Sequence, residues 1–395
     1  MTVPIAKLSF WGVRGSTPTV DPATWRYGGN TPCLELTAPD GTQFILDCGT
    51  GLRMLGRRWS KPGGKPGPEG NSGAETHILV THYHWDHIQG VPFFTPLYSP
   101  ENAFHFYSFR SKYLGQDSLK QVFEAQMAMP YFPVDLSAMA AKRKFNEVDG
   151  GQSFHVGENK ITARWLNHPQ GCLGYRIETP AGTVVYATDN EPGDKKLEEN
   201  LRELAAGADI FINDAQFSPE QLATTRAGWG HSSWREGVLA ARDAGAKTLV
   251  LFHHDPDSTD RVVDTILRNA RDEFDSVFAA GEGMVITLGS PGDHVQAHLP
   301  GTRTAMRREA QFRARVSGTT EGGKPFEEET QVRDLALQGA LISLEHTPRL
   351  QSELILTMEA PGSEGKKSMV LRGYVVRAEA GFEKGQNAVG VVFTD

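Results

Sequence analysis

The sequence predicts a layered α/β domain followed by a small β-barrel, and three observations predict it. Strand-like apolar runs alternate with helical patterns as far as Thr287–Leu288, which closes the last strand of the first part. A turn-rich connector follows, Gly289-Ser290-Pro291-Gly292-Asp293 and then Leu299-Pro300-Gly301. Beyond it only short alternating runs remain: Ala340–Leu344, Glu353–Met358, Ser368–Val376 and a closing Val389–Phe393. In the first part, strands are expected at Leu8–Trp11, Cys33–Thr37, Gln43–Asp47, His77–Val80, Thr183–Ala187, Ile210–Asp214 and Thr248–Phe252. Helices are expected at Gln116–Met129, Leu197–Ala205 and Ser233–Ala244, the first followed by an aromatic lid, Pro130-Tyr131-Phe132-Pro133. Residues 60 to 75 are rich in Gly and Pro and read as an exposed loop.

Composition narrows the class. At 395 residues the chain is too long for one ordinary core. No apolar stretch is long enough to cross a bilayer, and the N-terminus shows neither a basic nor an apolar leader segment. Three widely spaced cysteines, Cys33, Cys48 and Cys172, argue against a disulfide framework, so a reducing cytoplasm is the expected location. The net charge of −8 lies wholly in the first 300 residues, because the remainder carries 13 basic and 13 acidic side chains. A net-negative domain is a poor generic binder of long nucleic acid. No membrane partner is expected, and a homodimer is left open.

The most informative segment is His82-Tyr83-His84-Trp85-Asp86-His87. It places three imidazoles and a carboxylate within six residues, where an apolar strand ends and a loop begins. His82 and His84 alternate and project together from an extended chain, while Asp86 and His87 turn toward a second point. His168, Asp189 and His253 also lie at or between strand ends. Seven such groups exceed one tetrahedral zinc and suit two ions sharing a bridging carboxylate.

These residues resemble the metallo-β-lactamase fold, specifically its phosphodiesterase branch that includes the tRNA 3′-processing endonuclease RNase Z. The resemblance spans roughly residues 7 to 290 and rests on His82-x-His84-x-Asp86-His87, His168, Asp189, Gly230-His231-Ser232-Ser233 and the strand before His253. It implies a four-layer αββα sandwich over residues 1–292 and two Zn²⁺, with Mn²⁺ or Fe²⁺ as substitutes. His82, His84 and His168 would hold the first ion; Asp86, His87 and His253 the second; Asp189 would bridge. His254 is the alternative to His253, which is preferred for its 22-residue separation from His231. Asp47, in Asp47-Cys48-Gly49, would orient a ligand from behind. His231 and the ligand Asp86 are the catalytic candidates, with Asp214 a candidate to orient His231. Ser232 and Ser233 read as helix caps. Asn30, in the glycine-rich turns that begin at Gly12 and Tyr27, either faces the site or merely shapes a hairpin.

The implied reaction is cleavage of a phosphodiester, with a small or cyclic nucleotide preferred over tRNA. The insert at residues 110–150 reads as a helix and aromatic lid, not as a basic arm. An esterase or thioesterase on the same metals is the rival. Residues 303–395 resemble a PilZ domain, a small barrel associated with cyclic di-GMP, through Arg307, Arg308, Asp334, Gly339 and the closing strand. Gln311 and Ala336 stand where that family has Arg and Ser; Arg303 and Arg307 give the Arg spacing out of register. The resemblance implies a cyclic di-GMP-responsive regulator or signalling adaptor.

Overall fold

The structure, a computed structural model, describes residues 4–60, 75–289, 295–298, 308–336, 339–359, 368–383 and 386–394. The loop expected at 60–75 and both turn segments of the connector fall almost entirely outside them. The chain divides into two compact units, Met1–Gln296 and Ala297–Asp395.

The first unit is built on two mixed sheets. One begins with the antiparallel strands β1 (Ala6–Gly12), β2 (Cys33–Thr37) and β3 (Gln43–Leu46) and continues in parallel through β4 (Glu75–Leu79), β5 (Ala103–Ser108) and β6 (Lys142–Glu147). The other runs antiparallel through β7 (Ser153–Val156), β8 (Asn159–Leu166), β9 (Cys172–Thr179) and β10 (Gly182–Ala187). It then turns parallel through β11 (Ile210–Asp214), β12 (Leu249–Phe252) and β13 (Val277–Ala279). Strand β14 (Val285–Leu288) returns to pair with β1, and β15 (Val295–His298) extends that edge. Leu288 therefore does not close the last strand, as the turn-rich flanks suggested; four residues between two turn segments are too short for periodicity to reveal.

Inward contacts join the sheets. Phe10 of β1 meets Phe252 of β12, and the Tyr175 hydroxyl of β9 donates to the Val80 carbonyl beyond β4. Helix α1 (Gly51–Trp59) covers the first sheet with Leu52, Leu55 and Trp59, joined by α3 (Ser118–Gln126) through Leu119 and Phe123. The second sheet is covered by α4 (Lys195–Ala205), α6 (Trp234–Ala244) and α7 (Asp260–Glu273) through Leu204, Val238, Val263 and Leu267. Two more helices are short: α2 (Trp85–Ile88) and α5 (Pro219–Thr224). The result is the expected four-layer αββα sandwich. Helix α3 starts two residues later than expected because Asp117 before it is left-handed, with φ 55°, and it ends at Gln126, three residues short of the expected Met129. Among the described residues no helix is long and apolar enough to cross a membrane.

The second unit is a closed six-stranded barrel, ordered β16 (Arg308–Thr319), β17 (Pro325–Ala336), β18 (Gly339–Leu344), β21 (Gln386–Phe393), β20 (Ser368–Glu383) and β19 (Glu353–Glu359), with β19 returning to β16. Its alternating strands pack an apolar interior of Val316, Val332, Ile342, Leu354, Leu356, Val375 and Val389. Arg307 lies outside the described residues. Arg308 and Asp334, whose backbone alone is described, sit opposite Leu335 and Glu309 across β16 and β17. Gly339 pairs with Ala336 across β17 and β18.

Candidate metal centre

The cluster forms where four strands stop at one end of the sandwich. After β4 the chain stays extended through His82 and His84, then closes the single turn of α2, which swings Asp86 and His87 round to a second point. Asp47 and His253 directly follow β3 and β12, Asp189 follows β10 after Thr188, and all three are left-handed, with φ 60°, 60° and 55° for Asp47, His253 and Asp189. For residues with a Cβ this conformation costs about 1–2 kcal/mol and persists where surrounding structure enforces it, typically at functional sites. It explains why β3 ends at Leu46, one residue before the expected Asp47. Two glycines leave room for the imidazoles: a Cβ on Gly15 would strike the His253 ring, and one on Gly230 the His168 ring.

Each of five imidazoles has one nitrogen committed to an oxygen. Nδ1 of His87 lies 2.7 Å from Asp47 Oδ2, Nδ1 of His253 2.8 Å from Gln216 Oε1, and Nδ1 of His168 2.7 Å from the Gly230 carbonyl. Nε2 of His84 lies 3.1 Å from Gln170 Oε1. These oxygens only accept, so they fix the ring protons on those nitrogens. The Thr81 hydroxyl donates to Asp47, at 2.9 and 3.0 Å from its two oxygens, and therefore accepts from His82 Nδ1 at 3.0 Å. Five unprotonated nitrogens are left converging. His84 Nδ1 and His168 Nε2 face each other at 3.0 Å, His87 Nε2 and His253 Nε2 at 3.3 Å, and buried His82 Nε2 has no partner. Facing lone pairs at such distances repel unless a cation lies among them.

Two carboxylates complete the set. Asp86 Oδ2 is 3.1 Å from His253 Nε2 and 3.2 Å from His87 Nε2, held by the Ser16 amide at 2.7 Å. Asp189 spans both halves. Its Oδ2 lies 3.3 and 3.4 Å from His87 and His253, its Oδ1 3.8 and 3.9 Å from His82 and His168. The compact ligand groups are His82, His84 and His168; Asp86, His87 and His253; His82, His87 and Asp189; and Asp189, His253, Asp214 and His231. The structure thus brings all seven expected residues together, and mixed imidazole and carboxylate donors fit zinc, manganese or iron.

Burial keeps His82, His84 and His168 neutral, lowering all three and bringing His168 to about 4. Burial also opposes charge on His87, but Asp86, Asp189 and Asp47 outweigh it and raise that imidazole well above its ordinary value. Asp86 and Asp189 are held well below the carboxylate range, despite burial, mainly by His87 and His253.

His231 borders the cluster. Its Nδ1 lies 2.8 Å from Asp214 Oδ2 and 3.6 Å from Asp189 Oδ1, and its ring stacks on His253 with centroids 5.0 Å apart. Burial disfavours its cation, yet Asp214, with Asp189 and Asp86 beyond, raises its pKa to about 9. Asp214 is itself fixed by the amides of Gln216 and Ser232 at 2.9 and 3.3 Å. Ser233 caps α6, accepting from the Glu236 amide; Ser232, also expected as a cap, spends its amide on Asp214 instead. His254 turns away, with Nε2 2.9 Å from the Ala280 carbonyl and its ring against Tyr27. Asn30 donates to Glu282 from its backbone amide and its side-chain NH₂, so its side chain is spent there and not on the imidazole cluster.

Sequence reasoning did not identify Thr81, Gln170, Gln216, Tyr186 or Glu191. Tyr186 donates to Asp47 at 2.8 Å, and Glu191 accepts from the amides of Gly228 and Gly230, holding the turn before His231. None belongs to a local motif; the one available signal is adjacency, Thr81 to His82 and Gln216 to the Asp214 strand end.

Residues 42–254 match the model of the β-lactamase superfamily domain, over half of the chain, and the chain belongs to that family. Among curated relatives, ribonuclease Z of Haloarcula marismortui is 25% identical over 326 residues, covering 70% of this chain and 95% of the relative. Ribonuclease BN of Escherichia coli O1:K1 is 22% identical over 311 residues, covering 66% of this chain and 94% of its own. Among solved structures, the metallo-β-lactamase fold protein YhfI of Bacillus subtilis superposes with a TM-score of 0.53 at 20% identity, over 72% of this chain and 99% of its own.

Proposed function

We propose that the chain is a di-metal phosphodiesterase acting on a small or cyclic nucleotide. The observation that carries this reading is His231, tied by Nδ1 to a buried aspartate, beside a ring of lone pairs that calls for cations. The two ribonuclease relatives support a phosphodiester as the bond cleaved. The acidic balance of the first 300 residues supports a small substrate over tRNA.

His82, His84 and His168 would hold one zinc, Asp86, His87 and His253 the other, and Asp189 would serve both, with Mn²⁺ or Fe²⁺ as substitutes. Such ions neutralise charge on the phosphoryl group and lower the pKa of water. The chain does the rest. Asp47, Gln170, Gln216 and the Gly230 carbonyl fix the imidazole tautomers. Thr188 and the Ser16 amide orient Asp189 and Asp86. Asp214 occupies Nδ1 of His231, which leaves Nε2 to deliver a proton to the departing oxygen. In this reading Asp86 aligns the reacting centre as a ligand.

Metal-reconstituted protein should hydrolyse bis(p-nitrophenyl) phosphate and a cyclic nucleotide, and a chelator should stop it. Turnover of thioesters alone would make it a thioesterase, and turnover of pre-tRNA alone an RNase Z-type endonuclease. For the barrel we propose a PilZ-like regulatory role with cyclic di-GMP as ligand, supported by the Arg307-Arg308 pair, Asp334 and Gly339. Titration calorimetry of the full chain tests it, and no heat at micromolar cyclic di-GMP would end that reading. Binding that leaves turnover unchanged would indicate a signalling adaptor instead.

A further inference from the structure

We propose that a cleft beside His82 and His84 seats the part of the substrate that stays on phosphorus, and that this part is a nucleoside whose base lies against Tyr113. The inference rests on the phosphodiesterase reading and adds to it which side of the substrate is recognised.

The cleft has a volume of about 360 Å³ and is lined by His82, His84 and Gln170 together with Phe109, Tyr113, Leu114 and Val122. That volume is near the low end of the ~300–1,000 Å³ of small-ligand sites, which suits one nucleoside and not an extended strand. Tyr113 and Leu114 are 66% and 42% exposed, large apolar surfaces left in water at the mouth of a cleft that reaches two candidate ligands. The wall is preformed. Tyr83 stacks on Phe109 at 4.8 Å and its hydroxyl donates to the Phe109 carbonyl, while Phe109 meets the edge of Trp165 at 5.0 Å. The turn carrying Tyr113 is closed by the Gly115 amide on the Ser111 carbonyl at 2.9 Å and pinned by Ser118 Oγ to the Ser111 amide at 2.8 Å. A rigid ring loses little freedom on stacking.

Two polar features match the occupant. Gln170 gives its Oε1 to His84, which leaves its NH₂ as a donor toward a base carbonyl. Lys112 Nζ sits 5.1 Å from the Tyr113 ring centroid and brings positive charge beside that ring for an anionic substrate. His231 is not among the residues lining this cleft and contacts His168 and His253 instead. A departing oxygen that takes its proton from His231 therefore lies outside the cleft, and the retained nucleoside lies within it.

Two substrates with the same p-nitrophenolate leaving group test this: thymidine 5′-(p-nitrophenyl phosphate) and ethyl p-nitrophenyl phosphate. Tyr113→Ala should raise KM for the thymidine ester about 10- to 100-fold, the range of base–aromatic stacking, with Tyr113→Phe near native. Its kcat/KM for the ethyl ester should stay within about two-fold, since that substrate makes no stacking contact to lose. Free thymidine should compete with the thymidine ester on the native enzyme, a measurement that needs no variant. Equal losses on both esters, no loss on the thymidine ester, or no competition would overturn the cleft assignment while leaving the phosphodiesterase reading in place. A metal-loaded native enzyme that hydrolyses neither ester would end that reading, and this inference with it.

Discussion

The two halves of the histidine cluster use the same side chain but surround it differently. His82, His84 and His168 lean on a hydroxyl, a carboxamide and a peptide carbonyl, and meet one carboxylate oxygen, Asp189 Oδ1, at 3.8 Å or more. His87 leans on the carboxylate of Asp47, and with His253 it faces Asp86 and the other Asp189 oxygen at 3.1–3.4 Å. One half is a neutral cage with an open side, where His84 borders the aromatic cleft; the other is an anionic, buried one. Coulomb attraction in a low-dielectric interior then favours the second half, which should take up its cation first. A calorimetric zinc titration of the chelated protein should show two unequal steps; two equal steps would mean that the surrounding charge does not matter.

The strongest way to break the distinction is to remove what the halves share. Asp189→Ala should lose both ions and all hydrolysis, read as metal content by elemental analysis alongside turnover. His231→Ala should separate chemistry from binding: metal content unchanged, and turnover lower by about 10²–10⁴-fold. Normal turnover in that variant removes His231 from the mechanism. Asp47→Asn should weaken the second ion by roughly 10–100-fold and barely touch the first, because the carboxylate stands behind His87. Gln170→Ala should do the reverse and less, since a neutral carboxamide contributes less to the basicity of His84 than a carboxylate does to His87.

The smallest expected effect lies away from the cluster. Burial lowers His77 of β4 to about 4, with His105 adding to the shift and Glu75 opposing it; Tyr107 and Phe44 complete its surroundings. A folded-state value below the unfolded one means that the unfolded chain binds the proton more readily. Stability is thus intact above about pH 6.5, falls as pH drops toward about 4, and levels off below. His77→Gln should flatten that segment by no more than about 2 kcal/mol, allowing for solvent screening. Urea unfolding of chelated protein, followed by tryptophan fluorescence, reports on this unit, because all seven tryptophans precede residue 297.

Much of this was legible in the chain. The strands at Cys33–Thr37 and Ile210–Asp214 appear where expected because short, mostly apolar runs bounded by turn residues have few alternatives. The helix beginning at Trp234 was readable from its periodicity and from Ser233 before it. The hexapeptide was readable because four candidate ligands in six residues have little structural use otherwise. Gln170 and Gln216 were not, since each is an ordinary amide until a distant histidine needs an acceptor. Asn30 left two readings open because its glycine-rich turn is local; Glu282, its actual partner, is 252 residues away.

The sequence therefore determined the layered architecture, the alternating strands of the barrel and, with the family resemblance, the inventory of seven candidate ligands. The tertiary structure decided how they are used: that His253 and not His254 enters the cluster, that Asp189 divides its two oxygens between the halves, and that Asp214 holds His231. The physical reason is that period and propensity act over a few residues. Which nitrogen keeps its proton depends on hydrogen bonds between strand ends far apart in the chain, and these exist only once the two sheets have packed.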